Sequence, residues 1–283
     1  VYMVFFLSLA ALNILEASNF LRYFIMVETP LLAIAAFFVV GCIYCVKKGI
    51  MPIARVATVF GIVSFGGLVI NLLLSLSNGH IEYLLPMFNL ELLDYIQGSH
   101  IAAAIPFGES LVLLMLIPKL SEKASLPKAY IAVALFTVFI MVVVHFREAF
   151  TLGHMISYTA LPSYESVRMI DIADVVTRTE SLFALLLVSM TFFKTLVLLY
   201  VCCSGMCQIF RLESYRHILI MLSTLLTVYA VKAYGAPSNN IFWGKNVSPF
   251  IWTFFTFLMP LITLVASYIR GGASRLKAKG ETA

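Results

Sequence analysis

The stretch Leu92-Leu-Asp-Tyr-Ile-Gln-Gly-Ser-His-Ile-Ala-Ala-Ala-Ile-Pro-Phe-Gly-Glu109 decides how this chain is read. It continues apolar to Ile117, enough to cross a bilayer core that needs about 20 residues of helix. Within it, Pro106 supplies no amide hydrogen and Gly108 relaxes the backbone. Glu109 follows at once, near mid-membrane. A discontinuous helix is expected, its second half starting near Phe107 with free amides and a positive dipole end turned to a cavity. Such half-helix ends suit carboxylates and ions at the midplane, and the same dipole favours Glu109 in its first turn. A simple proline kink, with Glu109 bonded to a neighbouring helix, is the plainer alternative. The run Ala102-Ala103-Ala104 permits close approach of a helix or ligand in either case.

Outward from this stretch the chain keeps the same character. Of its 283 residues 61% are hydrophobic and 12% charged, against about 45–50% apolar and about 25% charged in soluble domains. A soluble fold is excluded, because so few polar residues could not cover its cores. With a net charge of only +5, nucleic-acid binding is not expected either. Eight segments read as membrane helices: 1–15, 30–46, 56–76, 92–117 with its break near 104–109, 129–150, 181–210, 218–234 and 249–269. Unbroken apolar runs, rather than alternation over about 10 residues, exclude barrel strands. Residues 1–283 form a single transmembrane domain, with 270–283 a cytoplasmic tail. Val1 opens directly on an apolar run with no charged region before it, so no signal peptide is read there.

Basic residues orient these spans. Lys47, Lys48, Arg55, Lys119, Lys123, Lys128, Arg211, Arg216, Arg270, Arg275, Lys277 and Lys279 fall on one side. Arg22, Arg147, Arg168, Arg178, Lys232 and Lys245 fall on the other. The side with twelve is cytoplasmic. Most acids, Glu16 and Glu148 among them, fall on the outer side. Cys42, Cys45, Cys202, Cys203 and Cys207 lie toward inner helix ends, in a reducing compartment, and read as small buried thiols.

Lys194 stands inside the sixth span, where an unpaired charge costs about 2.5–3.5 kcal/mol on insertion scales. It must face the bundle interior with a partner, and Glu109 is the obvious one. A fixed cation replacing a coupling metal ion, a titrating group and a structural ion pair are three open roles. The long outer connection 151–180 contains Leu161-Pro-Ser-Tyr-Glu-Ser-Val-Arg168, which reads as a short helix over the bundle. Tyr164, Arg168, Arg178 and Glu180 are its candidate lid residues, although the arginines could equally be ordinary salt-bridge formers. No metal-ligand spacing, nucleophile–base arrangement or phosphate loop is present in the sequence. Neither a cofactor nor an enzymatic role is expected.

Several segments, in order, carry a resemblance. They are Val27-Glu-Thr-Pro30, Lys48-Gly-Ile-x-x-Ile-Ala-Arg55, Ile105-Pro-Phe-Gly-Glu109 and Leu161-Pro-x-Tyr-Glu-x-Val-Arg168. Then follow Arg178-Thr-Glu180, Phe192-Phe-Lys194 with Tyr200, Gln208-Ile-Phe-x-Leu212 and Tyr215-Arg216. Together they resemble the B subunits of bacterial spore germinant receptors, the GerAB-like spore permeases of the amino acid–polyamine–organocation superfamily. The resemblance implies an all-α, LeuT-like inverted-repeat fold of ten helices. The eight spans here then correspond to helices three to ten, so a fragment or truncated reading frame is expected. It further implies a receptor in the inner spore membrane that senses a small germinant, typically an amino acid. Its partners would be a larger A-type membrane subunit and a C-type lipoprotein. By position, the ligand would contact Ala104, Ile105, Pro106, Phe107, Gly108 and Glu109, with Thr191 and Lys194 facing them. An ion- or proton-coupled amino-acid permease is the alternative, and an assembly subunit with a vestigial cavity is a third reading.

Overall fold

The chain is seen in a computed structural model that describes residues 2–76, 79–85, 89–119, 125–159, 161–169, 179–233 and 248–280. The described residues are helical or irregular and contain no strand. The main helices are α1 (Tyr2–Phe24), α2 (Leu31–Lys47), α3 (Ile50–Ser75), α4 (Leu92–Ala102), α5 (Leu126–Leu152), α6 (Pro162–Arg168), α7 (Thr179–Phe210), α8 (Arg216–Ala233), α9 (Ser248–Thr253) and α10 (Met259–Gly280). Each segment read as a span is largely helical over its described residues. Among the described residues, six helices are long and apolar enough to cross a membrane. α2 is apolar but has only 17 residues, and α8 carries Arg216 and Lys232 at its two ends.

α1 is the hub. It packs most extensively on α7 and also touches α2 and α8. Its buried set includes Phe5, Leu9, Ala10, Ala11, Ile14, Leu15 and Ala17. Lipid tails are as apolar as leucine, so close backbone approach over small residues drives such packing rather than transfer from water. Cys42, Cys202 and Cys203 join the same core. α5 shows the opposite pattern, with Ile131, Leu135, Phe139 and Val142 exposed along its length. Such a face would be costly in water and is ordinary against acyl chains.

α1 runs past the expected end at Leu15 to Phe24. The polar residues of the second half do not stop it, because their side chains bond to its own carbonyls. Asn13 Nδ2 donates to the Leu9 carbonyl at 2.9 Å and Ser18 Oγ to the Ile14 carbonyl at 2.6 Å. In lipid these donors must find partners within the protein, and the helix itself supplies the acceptors. Glu16 therefore sits within the helix rather than in the outer loop.

The α2–α3 turn is two residues long, and Gly49 takes φ 95° there, a conformation that favours glycine. At the end of α7, Arg211 adopts φ 54°, and the Leu212 amide reaches back to the Cys207 carbonyl at 3.0 Å. That bond closes the helix as a glycine-type cap does.

Candidate functional site

The fourth span changes its winding where a break is expected. α4 ends at Ala102 and a π-helical turn covers Ala103–Phe107. A 3-10 stretch, Gly108–Met115, follows. Ala103, Phe107 and Gly108 all keep right-handed helical dihedrals. The hydrogen-bond ladder is thus re-registered, while the chain is not unwound into two halves. The cause is local: Pro106 has no donor and its ring crowds the preceding turn, and a widened turn relieves both. Ser110 Oγ donates to the Phe107 carbonyl at 2.5 Å, at the start of the 3-10 stretch.

A second π turn, Phe254–Leu258, lies between α9 and α10 and packs against the 3-10 stretch. Gly108 meets the Thr256 methyl so closely that a β-carbon at 108 would overlap it. The side chain of His100 reaches the same partner helix, with Nε2 2.6 Å from Thr253 Oγ1. The two irregular segments are thus held together at both ends of the joint.

A cavity of about 250 Å³ opens beside this joint, lined by Leu9, Pro106, Glu109, Ser110, Lys194 and Val197 among others. Across it, Lys194 Nζ stands 2.5 Å from Glu109 Oε2. The Lys194 side chain stays 42% exposed and Glu109 17%, so the pair is reachable from the cavity. Glu16, exposed on α1, lies within electrostatic range of both Lys194 and Glu109. At this cavity Lys194 thus pairs with Glu109 and lies within electrostatic range of a second carboxylate, Glu16.

Ala104 is fully buried and Ile105, Pro106 and Phe107 are half-buried around the turn. Thr191 lies one turn from Lys194 on α7, and its hydroxyl donates to the Leu187 carbonyl at 2.9 Å. It does not line the cavity.

Over the outer end, α6 forms the short helix expected there. Tyr164 is buried against Phe20 and Phe24 of α1, with ring centroids 5.6 and 4.4 Å away. Arg168 is largely exposed and pairs with Glu165 at 3.6 Å, within its own helix. Arg178 and the side chain of Glu180 lie outside the described residues.

Beneath α6 is a polar cluster built on Arg147 and Glu148, at the outer end of the fifth span. Arg147 and Glu148 of α5 are both buried. Arg147 donates to Asn71 Oδ1 of α3 and, at 3.3 Å, to the Ser163 carbonyl of α6. Its guanidinium also lies 5.7 Å from the Phe183 ring of α7. Ser163 Oγ donates to the Glu148 carboxylate. One arginine thus joins four helices. The signal in the sequence is an Arg-Glu pair directly at the end of an apolar run, followed 15 residues later by a serine at a helix start.

No cluster among the described residues has the His, Cys, Asp or Glu grouping to hold a metal ion. The five cysteines are free thiols.

The family model described as spore germination protein (Spore_permease) matches residues 1–236. The chain is also similar to spore germination protein KB of Bacillus subtilis (strain 168), with 24% identity over 288 residues, covering all of this chain and 77% of that protein. No solved structure matches the chain.

Proposed function

The chain belongs to the Spore_permease family of spore germination proteins and is a multi-pass membrane protein; on that premise we propose that it is the membrane subunit of a nutrient-germinant receptor. It binds a small germinant, an amino acid, at the joint of the fourth span and so triggers germination of the spore whose inner membrane holds it. The eight helical segments act as helices three to ten of a ten-helix, LeuT-like inverted repeat, and the whole chain is one transmembrane unit. Its partners are an A-type membrane subunit and a C-type lipoprotein.

The observation that carries this reading is the Glu109–Lys194 pair at a cavity beside re-registered backbone. A zwitterionic ligand presents one anion and one cation. The pair presents the complementary charges, and the ligand rests against the joint of Ala104, Ile105, Pro106, Phe107 and Gly108, of which Pro106 lines the cavity. Ligand that separates the pair binds one arrangement of the bundle better than the other. Only such differential affinity shifts an equilibrium between them. α6, with Tyr164 seated on α1 and Arg168 exposed beside Glu165, is the outer lid, and Arg178 and Glu180 follow it in sequence as further lid residues.

The same pair also favours a second reading, an ion- or proton-coupled amino-acid permease, because paired charges inside a membrane bundle mark substrate and ion pathways. Two measurements separate the readings. Spores carrying Lys194→Met or Gly108→Leu should lose or right-shift their amino-acid dose-response. Sustained accumulation of radiolabelled amino acid in proteoliposomes holding the protein without partners would favour the permease. An unchanged dose-response in both variants would leave only an assembly role.

A further inference from the structure

α2 and α3 are joined by the tight Lys48–Gly49 turn, yet they pack far less on each other than either packs on α7. They diverge, and the wedge between them is a groove of about 390 Å³ floored by α7. Phe38, Val56, Phe60, Val188, Phe192 and Phe193 line it, so its walls are almost wholly apolar. Its occupant must be an apolar chain, and in a membrane protein the groove opens on acyl chains.

The charge at the groove's end is of one sign. Lys48 itself lines the groove and sits 5.3 Å over the Tyr44 ring. Lys47 precedes it, and Arg55 lies one and a half turns into α3. All three are exposed, and none forms an ion pair among the described residues. From Glu28 to Glu82 the sequence contains no acidic residue. Lys48 thus stands without an acidic partner on an apolar groove, and Lys47 and Arg55, close to it in sequence, add charge of the same sign. A headgroup bearing a phosphate and a net negative charge complements them, and its acyl chain complements the groove. Basic pockets beside membrane helices bind anionic headgroups on this principle.

We propose that the α2–α3–α7 groove is a binding site for an anionic phospholipid, its acyl chain between Phe60 and Phe192 and its phosphate on Lys48, with Lys47 and Arg55 adding attraction. Phe192 and Phe193 lie within one turn of Lys194 on α7. The lipid therefore braces the face of the helix opposite the ion pair.

The test uses the full chain in nanodiscs of equal parts phosphatidylglycerol and phosphatidylcholine. Lipids retained after extraction into mild detergent are counted by native mass spectrometry. Phosphatidylglycerol should be retained over phosphatidylcholine. In a Lys47→Gln/Lys48→Gln variant that preference should fall about fivefold per cation removed. These side chains are exposed, so the variant leaves the fold intact. Ser189→Phe, which fills the groove, should lower retention of both lipids alike. Equal retention of the two lipids by the wild-type chain overturns the proposal, as does an unchanged preference in the double variant.

Discussion

Lys194 of α7 and Glu109 of the fourth span are bonded at 2.5 Å, although more than two-fifths of the lysine side chain remains exposed. Replacing Lys194 by Met should abolish the germination response. Because the substitution leaves Glu109 in the membrane without its counter-charge, the stability loss should be about 2.5–3.5 kcal/mol. Spore germination assays and thermal unfolding in detergent read the two effects separately. A normal response in the Met variant would take the pair out of the function.

Gly108 tolerates no side chain against Thr256. Gly108→Ala should cost about 1–3 kcal/mol, the usual penalty of overpacking, and should shift the germinant dose-response to higher concentration. Adding Thr256→Gly should recover most of the loss, since it removes the colliding methyl. Failure of that second substitution to help would mean that the glycine acts through backbone freedom instead.

Arg147 and Glu148 are buried together under α6. Arg147→Met leaves the glutamate without its counter-charge and should destabilise the protein by about 3–5 kcal/mol. Arg147→Met with Glu148→Gln should be milder than the single substitution. The check is a double-mutant cycle of thermal unfolding, and additive effects would deny the coupling.

Burial lowers the Lys119 amine from its ordinary value of 10.5, and its ammonium also lies 4.3 Å over the Tyr200 ring. The unfolded chain holds this proton to higher pH than the folded one. This group's contribution to stability therefore rises with pH through the window just below 10.5 and is least below it. Lys119→Gln should flatten that alkaline rise when unfolding midpoints are compared across pH. An identical slope in the variant would refute the assignment.

The helical spans were legible because each is a continuous apolar run, and the Glu109–Lys194 partnership because an intramembrane charge requires an opposite one. Two features were hidden for physical reasons. Glu16 looked like the edge of a helix, since a charge normally marks the membrane surface. What continues α1 is the bonding of Asn13 and Ser18 to their own carbonyls, and composition does not reveal it. Arg147 likewise reads as an outer-side cation at the end of the fifth span. Its burial depends on Asn71, 76 residues away in sequence, and on Ser163, pairings that only the packed bundle creates. At Pro106 the sequence located the irregularity but not its form, because a missing donor can be met by unwinding, by a kink or by a wider turn.

The wider turn has a rotational consequence. An α-helix advances about 100° per residue, so one residue taken up in a π turn resets the angular phase of everything beyond it. Residues before Ala103 and after Phe107 therefore point as they would on two differently indexed helices. Glu109 faces Lys194 because of that offset. Phe254–Leu258 applies a second offset to the helix that Gly108 touches. Were the Ala103–Phe107 turn to relax to α-helix, the segment beyond it would turn about its own axis and Glu109 would swing away from Lys194. The joint works as a detent that sets which face of the helix the cavity sees.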